Sequence, residues 1–201
     1  MKIIKKGYKQ TEVGVIPEDW EVTTIGEIST VVTGGTPSTS HEEYWNGDIK
    51  WMSSGELNFK HIFDVKGRIT VLGLENSSTH EIPSNCVLIG LAGQGKTRGT
   101  AAYNHISLCI NQSIAAVLPN ENFTSDYLYY YIDNKYKELR LLSSGDGGRG
   151  GLNKRIIERF SVILPRTTSE QKNIAIALSD IDSLISSLNK KIEKKDRKSV
   201  V

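Results

Sequence analysis

The octapeptide Gly90–Thr97, GLAGQGKT, contains residue types that could hold a phosphate group. It matches the pattern G-x-x-x-x-G-K-[ST], which cradles nucleotide phosphates when a helix begins directly after it. Here Arg98-Gly99-Thr100 follows, and glycine and threonine propagate a helix poorly. The later apolar segments end in Leu118-Pro119 and Leu164-Pro165, without an aspartate to hold magnesium. A nucleotide-binding enzyme is therefore the less favoured of two interpretations.

The favoured interpretation is contact with DNA, because a glycine-rich loop can bring its cations close to backbone phosphates. Two other glycine-containing loops could also contact DNA. One follows Gly34-Gly35 and offers hydroxyl groups, and the other surrounds Arg149 with five glycines, so its backbone can approach a groove closely. The predicted DNA contacts are Thr36, Ser38, Thr39, Ser40, Gln94, Lys96, Arg98, Arg149, Asn153, Lys154 and Arg155.

Each of these loops has a simpler alternative, which is a solvated surface turn. Asn153 has a second one, since an asparagine that precedes a short helix commonly caps it. The tyrosines within residues 125–142 fit either a base-stacking platform or a packed core, and their helical spacing favours the core. The four histidines are scattered without metal-ligand spacing, and we identify neither a metal site nor a catalytic constellation.

A body of short strands must position these loops. Apolar, β-branched runs between glycine, serine, asparagine and proline clusters predict strands at residues 28–33, 68–72, 86–91, 107–118 and 160–164. Ser125 can cap a helix over 125–142 whose apolar face holds Leu128, Ile132, Tyr136 and Leu139. We predict an α+β fold, with a mixed-sheet domain over residues 1–165 and one long helix within 166–201.

Residues 169–196 contain no glycine, proline or aromatic residue, and predict a helix of roughly 40 Å. Overlapping capping boxes at residues 167–171 favour a start there. Six apolar residues repeat at spacings of 4, 3, 4, 3 and 4, the a/d pattern of a coiled coil. We expect this seam to pair with a second helix, and packing on the body is the alternative. The seam consists of Ile174, Leu178, Ile181, Ile185, Leu188 and Ile192.

Composition sets limits on these interpretations. Of the 201 residues 38 % are hydrophobic, which is enough for a packed core, and the formal net charge is only +2. A DNA-binding surface must therefore come from local clustering of lysine and arginine. Cys86 and Cys109 lie in apolar runs and predict buried free thiols. Without a signal-peptide pattern or an apolar run of membrane-spanning length, we expect a cytoplasmic protein.

Four segments carry a family resemblance. They are GYKQTEVGVIPEDWEVTTIGEI at 7–28, GGTPSTSHEEYWNGDIKWMSSGEL at 34–57, SSGDGGRGGLNKRIIERFSVILP at 143–165 and EQKNIAIALSDIDSLI at 170–185. In this order they resemble the specificity (S) subunits of type I restriction-modification enzymes, and together they cover most of the chain.

The resemblance implies a non-catalytic target-recognition domain that reads half of a bipartite double-stranded DNA site. It implies that methyltransferase (M) subunits dock on the helix and use S-adenosylmethionine, and that a restriction (R) subunit uses ATP. This chain would then hold no cofactor itself.

The family carries two recognition domains and two spacer helices, whereas this chain has one of each. We therefore expect a homodimer with antiparallel helices on a palindromic bipartite site. The alternative is a truncated subunit that competes for assembly. A natural half-subunit, the product of a broken gene and a fragment all fit the sequence.

Overall fold

The computed structural model describes residues 4–93, 95–143 and 151–199, with side chains as far as residue 195. Its strands are β1 (Tyr8–Thr11), β2 (Gly14–Pro17), β3 (Glu21–Thr24), β4 (Val31–Thr33), β5 (Trp45–Met52), β6 (His61–Ile62), β7 (Gly67–Ile69), β8 (Glu81–Ile82), β9 (Val87–Gly90), β10 (Ala101–Asn104), β11 (Leu108–Ile110), β12 (Ile114–Val117) and β13 (Ser161–Leu164). Its α-helices are α1 (Ile25–Ile28), α2 (Val71–Glu75), α3 (Ser125–Asn134), α4 (Tyr136–Leu142), α5 (Lys154–Glu158) and α6 (Thr168–Ser199), and 3₁₀ turns cover Glu42–Tyr44 and Ser54–Phe59. None of these helices is both long and apolar enough to cross a membrane.

A five-stranded sheet in the order β4-β12-β9-β10-β6 forms the centre of the body. Its neighbouring strands are antiparallel except for β6, which runs parallel to β10. Every residue of β9 and β12 is buried because both faces of this sheet are covered. Val87 and Ile89 pack in the cluster that contains α3, α4 and α5 residues, while Leu88 between them packs in a second cluster with β5, β8 and β11. The period of two in a strand produces this alternation.

A second sheet, in the order β7-β5-β11-β8, covers the other face. It combines the parallel pair β5–β11 with antiparallel pairs at both edges. Two antiparallel ladders, β1–β2 and β3–β13, complete the strand pairing in the described residues. Mixed sheets followed by one long helix confirm the predicted α+β fold.

Local hydrogen bonds explain where the predicted strands were wrong. The interval 68–72 turns into α2 after β7, because the Thr70 hydroxyl caps that helix by accepting from Gly73 N at 3.1 Å. The interval 107–118 is two strands, because Asn111 Oδ1 accepts from Ser113 N at 3.1 Å and shapes a turn. Residue 28 belongs to α1 and the strand begins only at Val31.

The predicted helix at 125–142 is divided at Lys135 into α3 and α4. The core interpretation of its tyrosines is confirmed for Tyr127 and Tyr129, which are 5 % and 4 % exposed. The Tyr127 hydroxyl donates to the Ile163 carbonyl at 2.8 Å, which ties α3 to β13. These two rings are therefore not available as a base-stacking platform.

Both cysteines are free and buried, as predicted. Burial raises the pKa of the Cys86 thiol to about 12 and that of Cys109 to about 11. Beside Cys86 lies the fully buried side chain of Asn104. Its Oδ1 accepts from Cys86 N at 2.6 Å, and its Nδ2 donates to the carbonyls of Pro83 and Ile106 at 2.7 and 2.9 Å. This amide satisfies three backbone groups inside the core.

Only the first turns of α6 are buried against the body. Gln171 and Ala175 are buried, and Gln171 Oε1 accepts from Thr124 N at 2.8 Å while its Nε2 donates to the Pro165 carbonyl at 3.1 Å. Ile174 is partly buried, but the remaining five seam residues are 38–57 % exposed. Leu178 still faces the body, since it lines a cavity with Trp20 and Tyr131, so the alternative in which the seam packs on its own body is not supported from Ile181 onward.

Candidate nucleic-acid interface

Three loops that are distant in sequence meet at one end of the five-stranded sheet. Because β4 and β9 point the same way, the first loop (34–40) and the second loop (91–100) both leave the sheet at that end. The antiparallel β12 begins there, preceded by the turn at 111–113. The third loop (143–153) reaches the same place through Leu152. The structure thus brings together the first loop, the second loop and the described end of the third loop, which are far apart in the sequence.

The turn at 111–113 joins the first two loops, and the third loop joins them through Leu91. The Thr36 hydroxyl donates to Gln112 Oε1 at 2.5 Å, which holds the first loop. Leu91 N donates to the Ser113 carbonyl at 2.8 Å, and Leu152 N donates to the Leu91 carbonyl at 3.2 Å. Sequence reasoning missed Gln112, an exposed amide at the centre of this end of the sheet. Its position inside an apolar predicted strand was the only available signal.

The backbone of the first loop is held rigidly. A Cβ on Gly34 would lie 1.7 Å from the Ile110 carbonyl oxygen, so only glycine fits there. Trp51 Nε1 donates to the Gly35 carbonyl at 3.0 Å, and Trp45 Nε1 donates to the Ser38 carbonyl at 3.1 Å. The side chains of the loop remain at the surface: Ser38, Thr39 and Ser40 are exposed, and the two serine hydroxyls lie 2.8 Å apart. A fixed backbone thus presents hydrogen-bonding hydroxyls to solvent.

The second loop lacks the architecture of a nucleotide-phosphate loop. Gly99 N donates to the Gly90 carbonyl at 2.9 Å and Thr100 N donates to the Thr97 carbonyl at 3.0 Å, so the chain turns back directly into β10. A strand therefore follows where a phosphate loop needs a helix N-terminus. Lys96 is exposed and Arg98 is partly buried. The nucleotide-binding alternative is not favoured by this geometry.

The third loop is described only in part. Arg149, like Gln94 of the second loop, lies outside the described residues. Asn153 Oδ1 accepts from Ile156 N at 3.0 Å, which confirms the capping alternative for this residue. Lys154 and Arg155 are exposed in the first turn of α5, and Lys154 Nζ lies 3.6 Å from Glu158 Oε1. DNA contact by these residues stays a prediction.

Two cations on α4, Lys137 and Arg140, extend the basic character of the second loop and were not identified from the sequence. Arg140 Nη1 donates to the Gly95 carbonyl at 2.7 Å. The Tyr136 hydroxyl donates to the Lys96 carbonyl at 3.2 Å, so α4 packs beside the second loop and stabilises its backbone. The three-residue spacing of the two cations on a helix was the signal that could have found them.

Comparison with known proteins identifies the family. The family model for the type I restriction modification DNA specificity domain matches residues 17–195. The chain belongs to this family. The type I restriction enzyme MjaIX specificity subunit of Methanocaldococcus jannaschii is 32 % identical over 193 residues, which cover 92 % of this chain and 43 % of the relative. The EcoR124I/EcoR124II specificity subunit of Escherichia coli is 28 % identical and covers 85 % and 42 %.

Solved structures show the same specificity-domain fold. The crystal structure of the HsdS subunit from Thermoanaerobacter tengcongensis matches with a TM-score of 0.69 at 18 % identity, covering 92 % of this chain and 42 % of that one. A structure that describes complex assembly and conformational transition of the type I R-M system matches with a TM-score of 0.67 at 20 % identity, covering 86 % and 40 %. This specificity-domain chain thus spans less than half of each of these relatives.

Proposed function

We propose that this chain recognises one half of a bipartite double-stranded DNA site as a specificity subunit, and that it performs no chemistry itself. The observation that carries this proposal is the convergence of the three loops at one end of the sheet. Hydrogen bonds from Thr36 and Leu91 to the turn at 111–113, and from Leu152 to Leu91, hold the first loop, the second loop and the described end of the third loop together. A recognition surface needs such preorganised donors and acceptors.

The side chains at this end of the sheet divide into two chemical groups. Ser38, Thr39, Ser40 and Gln112 carry neutral hydroxyl or amide groups that can bond to base edges in a groove. Lys96, Arg98, Lys154 and Arg155 carry positive charges that suit phosphates, which fix the register of a protein on the duplex. This division supports sequence reading by the first loop and positioning by the second and third.

A second copy of the chain would supply the other half of the recognition unit. The exposed seam favours pairing of two α6 helices, because exposed apolar residues at a/d spacing are stabilised by a partner helix. Charge favours the antiparallel orientation. Residues 168–183 carry one cation and three carboxylates, whereas residues 184–199 carry six cations and two carboxylates. Antiparallel pairing places these unlike halves opposite each other and gives a two-fold complex on a palindromic site.

The chemistry in this proposal belongs to partner subunits. A methyltransferase subunit that docks on the α6 pair would bring S-adenosylmethionine, and a restriction subunit would bring ATP. Support for such an assembly comes from the family match and from one matching structure, which describes the assembly of a type I R-M system. This chain needs no cofactor in that arrangement.

Co-expression with a cognate methyltransferase subunit, followed by mapping of methylated bases, tests the proposal. The expected result is a purified complex and methylation at a gapped palindrome. Methylation at a bipartite site with two different halves would refute the homodimer. A stable complex without methylation, together with inhibition of an intact specificity subunit, would favour the competing truncated subunit.

The nucleotide-binding alternative has its own test. A protein that binds Mg-ATP through Gly90–Thr97 gains thermal stability in proportion to the logarithm of nucleotide concentration. We expect no change in Tm between zero and millimolar Mg-ATP, and a concentration-dependent rise would restore that alternative.

A further inference from the structure

We propose that one groove of the body holds the C-terminal half of α6 from a second copy of this chain. The groove lies between α6 on one side and α3 and α4 on the other, and it is here called the Trp20 groove. Its walls include Trp20, Tyr131, Ile174 and Leu178. This inference rests on the antiparallel pairing in the proposed function, and it adds a contact between each helix and the other body that the seam alone does not provide.

The Trp20 groove has a volume of about 900 Å³, and hydrogen bonds hold its walls in place. The Tyr130 hydroxyl donates to Asp182 Oδ2 at 3.1 Å, which links α3 to α6. Trp20 Nε1 donates to Glu170 Oε1 at 3.1 Å, which links the segment before β3 to the first turn of α6. Leu178 is still 38 % exposed, so the body alone leaves apolar surface uncovered in a groove whose shape is already formed.

The spacing of the seam identifies what covers this surface. The order 4, 3, 4, 3, 4 reads the same in both directions, so an antiparallel pair matches every apolar layer. Pairing about the centre of the seam puts Leu188 of the second copy opposite Leu178. It likewise puts Ile192 of the second copy opposite Ile174. Because Ile174 and Leu178 line the Trp20 groove, both of these side chains from the second copy enter it.

Charge supports the same occupant at the end of the groove. Lys195 follows Ile192 by three residues, nearly one helical turn, so in the second copy it lies beyond Ile174 and beside Trp20 and Glu170. Within the described residues Glu170 forms no ion pair with a lysine or arginine. Lys195 of the second copy would pair with this carboxylate and lie over the indole ring. Two-fold symmetry forms the contact twice.

Charge reversal in the full-length chain tests this contact, with Kd measured by sedimentation velocity. Glu170→Lys alone brings two lysines together at each end of the pair, and Lys195→Glu alone brings two glutamates together. Each variant by itself should have a Kd about tenfold above that of the parent, because two attractive contacts become repulsive. An equimolar mixture of the two should regain a Kd near the parent value, since a mixed pair has one lysine and one glutamate at each end.

Lys194→Glu is the matched control, because it makes the same charge change one residue away and outside the a/d register. Mixed with Glu170→Lys, it should not restore the parent Kd. Trp20→Ala should raise the Kd as well, because it removes the ring beside which Ile192 of the second copy packs. Tm values establish that each variant folds.

Equal rescue by Lys194→Glu and Lys195→Glu would refute the contact between Lys195 and Glu170. A raised Kd in Ile181→Ala, together with parent values in Trp20→Ala and in both charge variants, would overturn the Trp20 groove and leave the antiparallel seam intact. A parent chain that is monomeric at every concentration would overturn both the groove and the homodimer. DNA binding by that monomer would still support recognition of a half-site.

Discussion

We expect Ile185→Ala to weaken self-association of the chain without destabilising its monomeric fold. Ile185 lies near the middle of the seam and is 50 % exposed. Fully burying an isoleucine side chain stabilises a structure by about 1.5–3 kcal/mol, so covering the exposed half contributes roughly 1 kcal/mol. A two-fold pair contains the residue twice. The variant should therefore lose about 2 kcal/mol of pairing energy, which is about a 30-fold rise in Kd.

Sedimentation velocity over a range of protein concentrations measures this Kd. Ile176→Ala is the matched control, because Ile176 lies on the same helix, is 58 % exposed and falls outside the a/d seam. The control should leave the Kd unchanged. Equal Kd values for the two variants, or a parent chain that stays monomeric at all concentrations, would refute the reasoning from the seam.

Three further predictions concern the body. Asn104→Leu should lower the free energy of unfolding by about 3 kcal/mol or more in urea titration, because three backbone groups lose their buried partner. Gly34→Ala should abolish DNA binding or folding, since its Cβ would overlap the Ile110 carbonyl; a variant with parent Tm and affinity contradicts this. The Tm should fall as pH rises above about 9, because the pKa of the Cys86 thiol is about 12 when folded and 9.0 otherwise. Cys86→Ala should flatten that fall.

The element types were predictable wherever one periodicity ran undisturbed. The seam of α6 repeats over six positions without a glycine or proline, and the helix extends from Thr168 to Ser199. The strand β9 was equally predictable, because both of its faces are covered and all four of its residues are therefore apolar or glycine. Both patterns are recognisable from consecutive residues, without knowledge of the tertiary contacts.

Short interruptions were harder to predict, because single side-chain hydrogen bonds decide them. Thr70 and Asn111 each redirect the backbone through one such bond. The candidate interface was predictable as three separate loops but not as one surface. Its assembly depends on the pairing of β4 with β12 and of β12 with β9, which are contacts between residues far apart in sequence. The sequence contains weak signals for Gln112 and Lys137, but only the folded structure places these two residues beside the loops.

The extended shape of α6 has a consequence for the spacing of two bodies. The six seam residues are centred on residue 183, and the buried N-terminal turn of the helix at Gln171 lies about twelve residues before that centre. In an antiparallel pair the two buried N-terminal turns would be separated by about 36 Å at a rise of 1.5 Å per residue. That separation is close to one turn of B-form DNA, about 34–36 Å. Two bodies mounted this way would meet the same side of a duplex, in phase with its grooves.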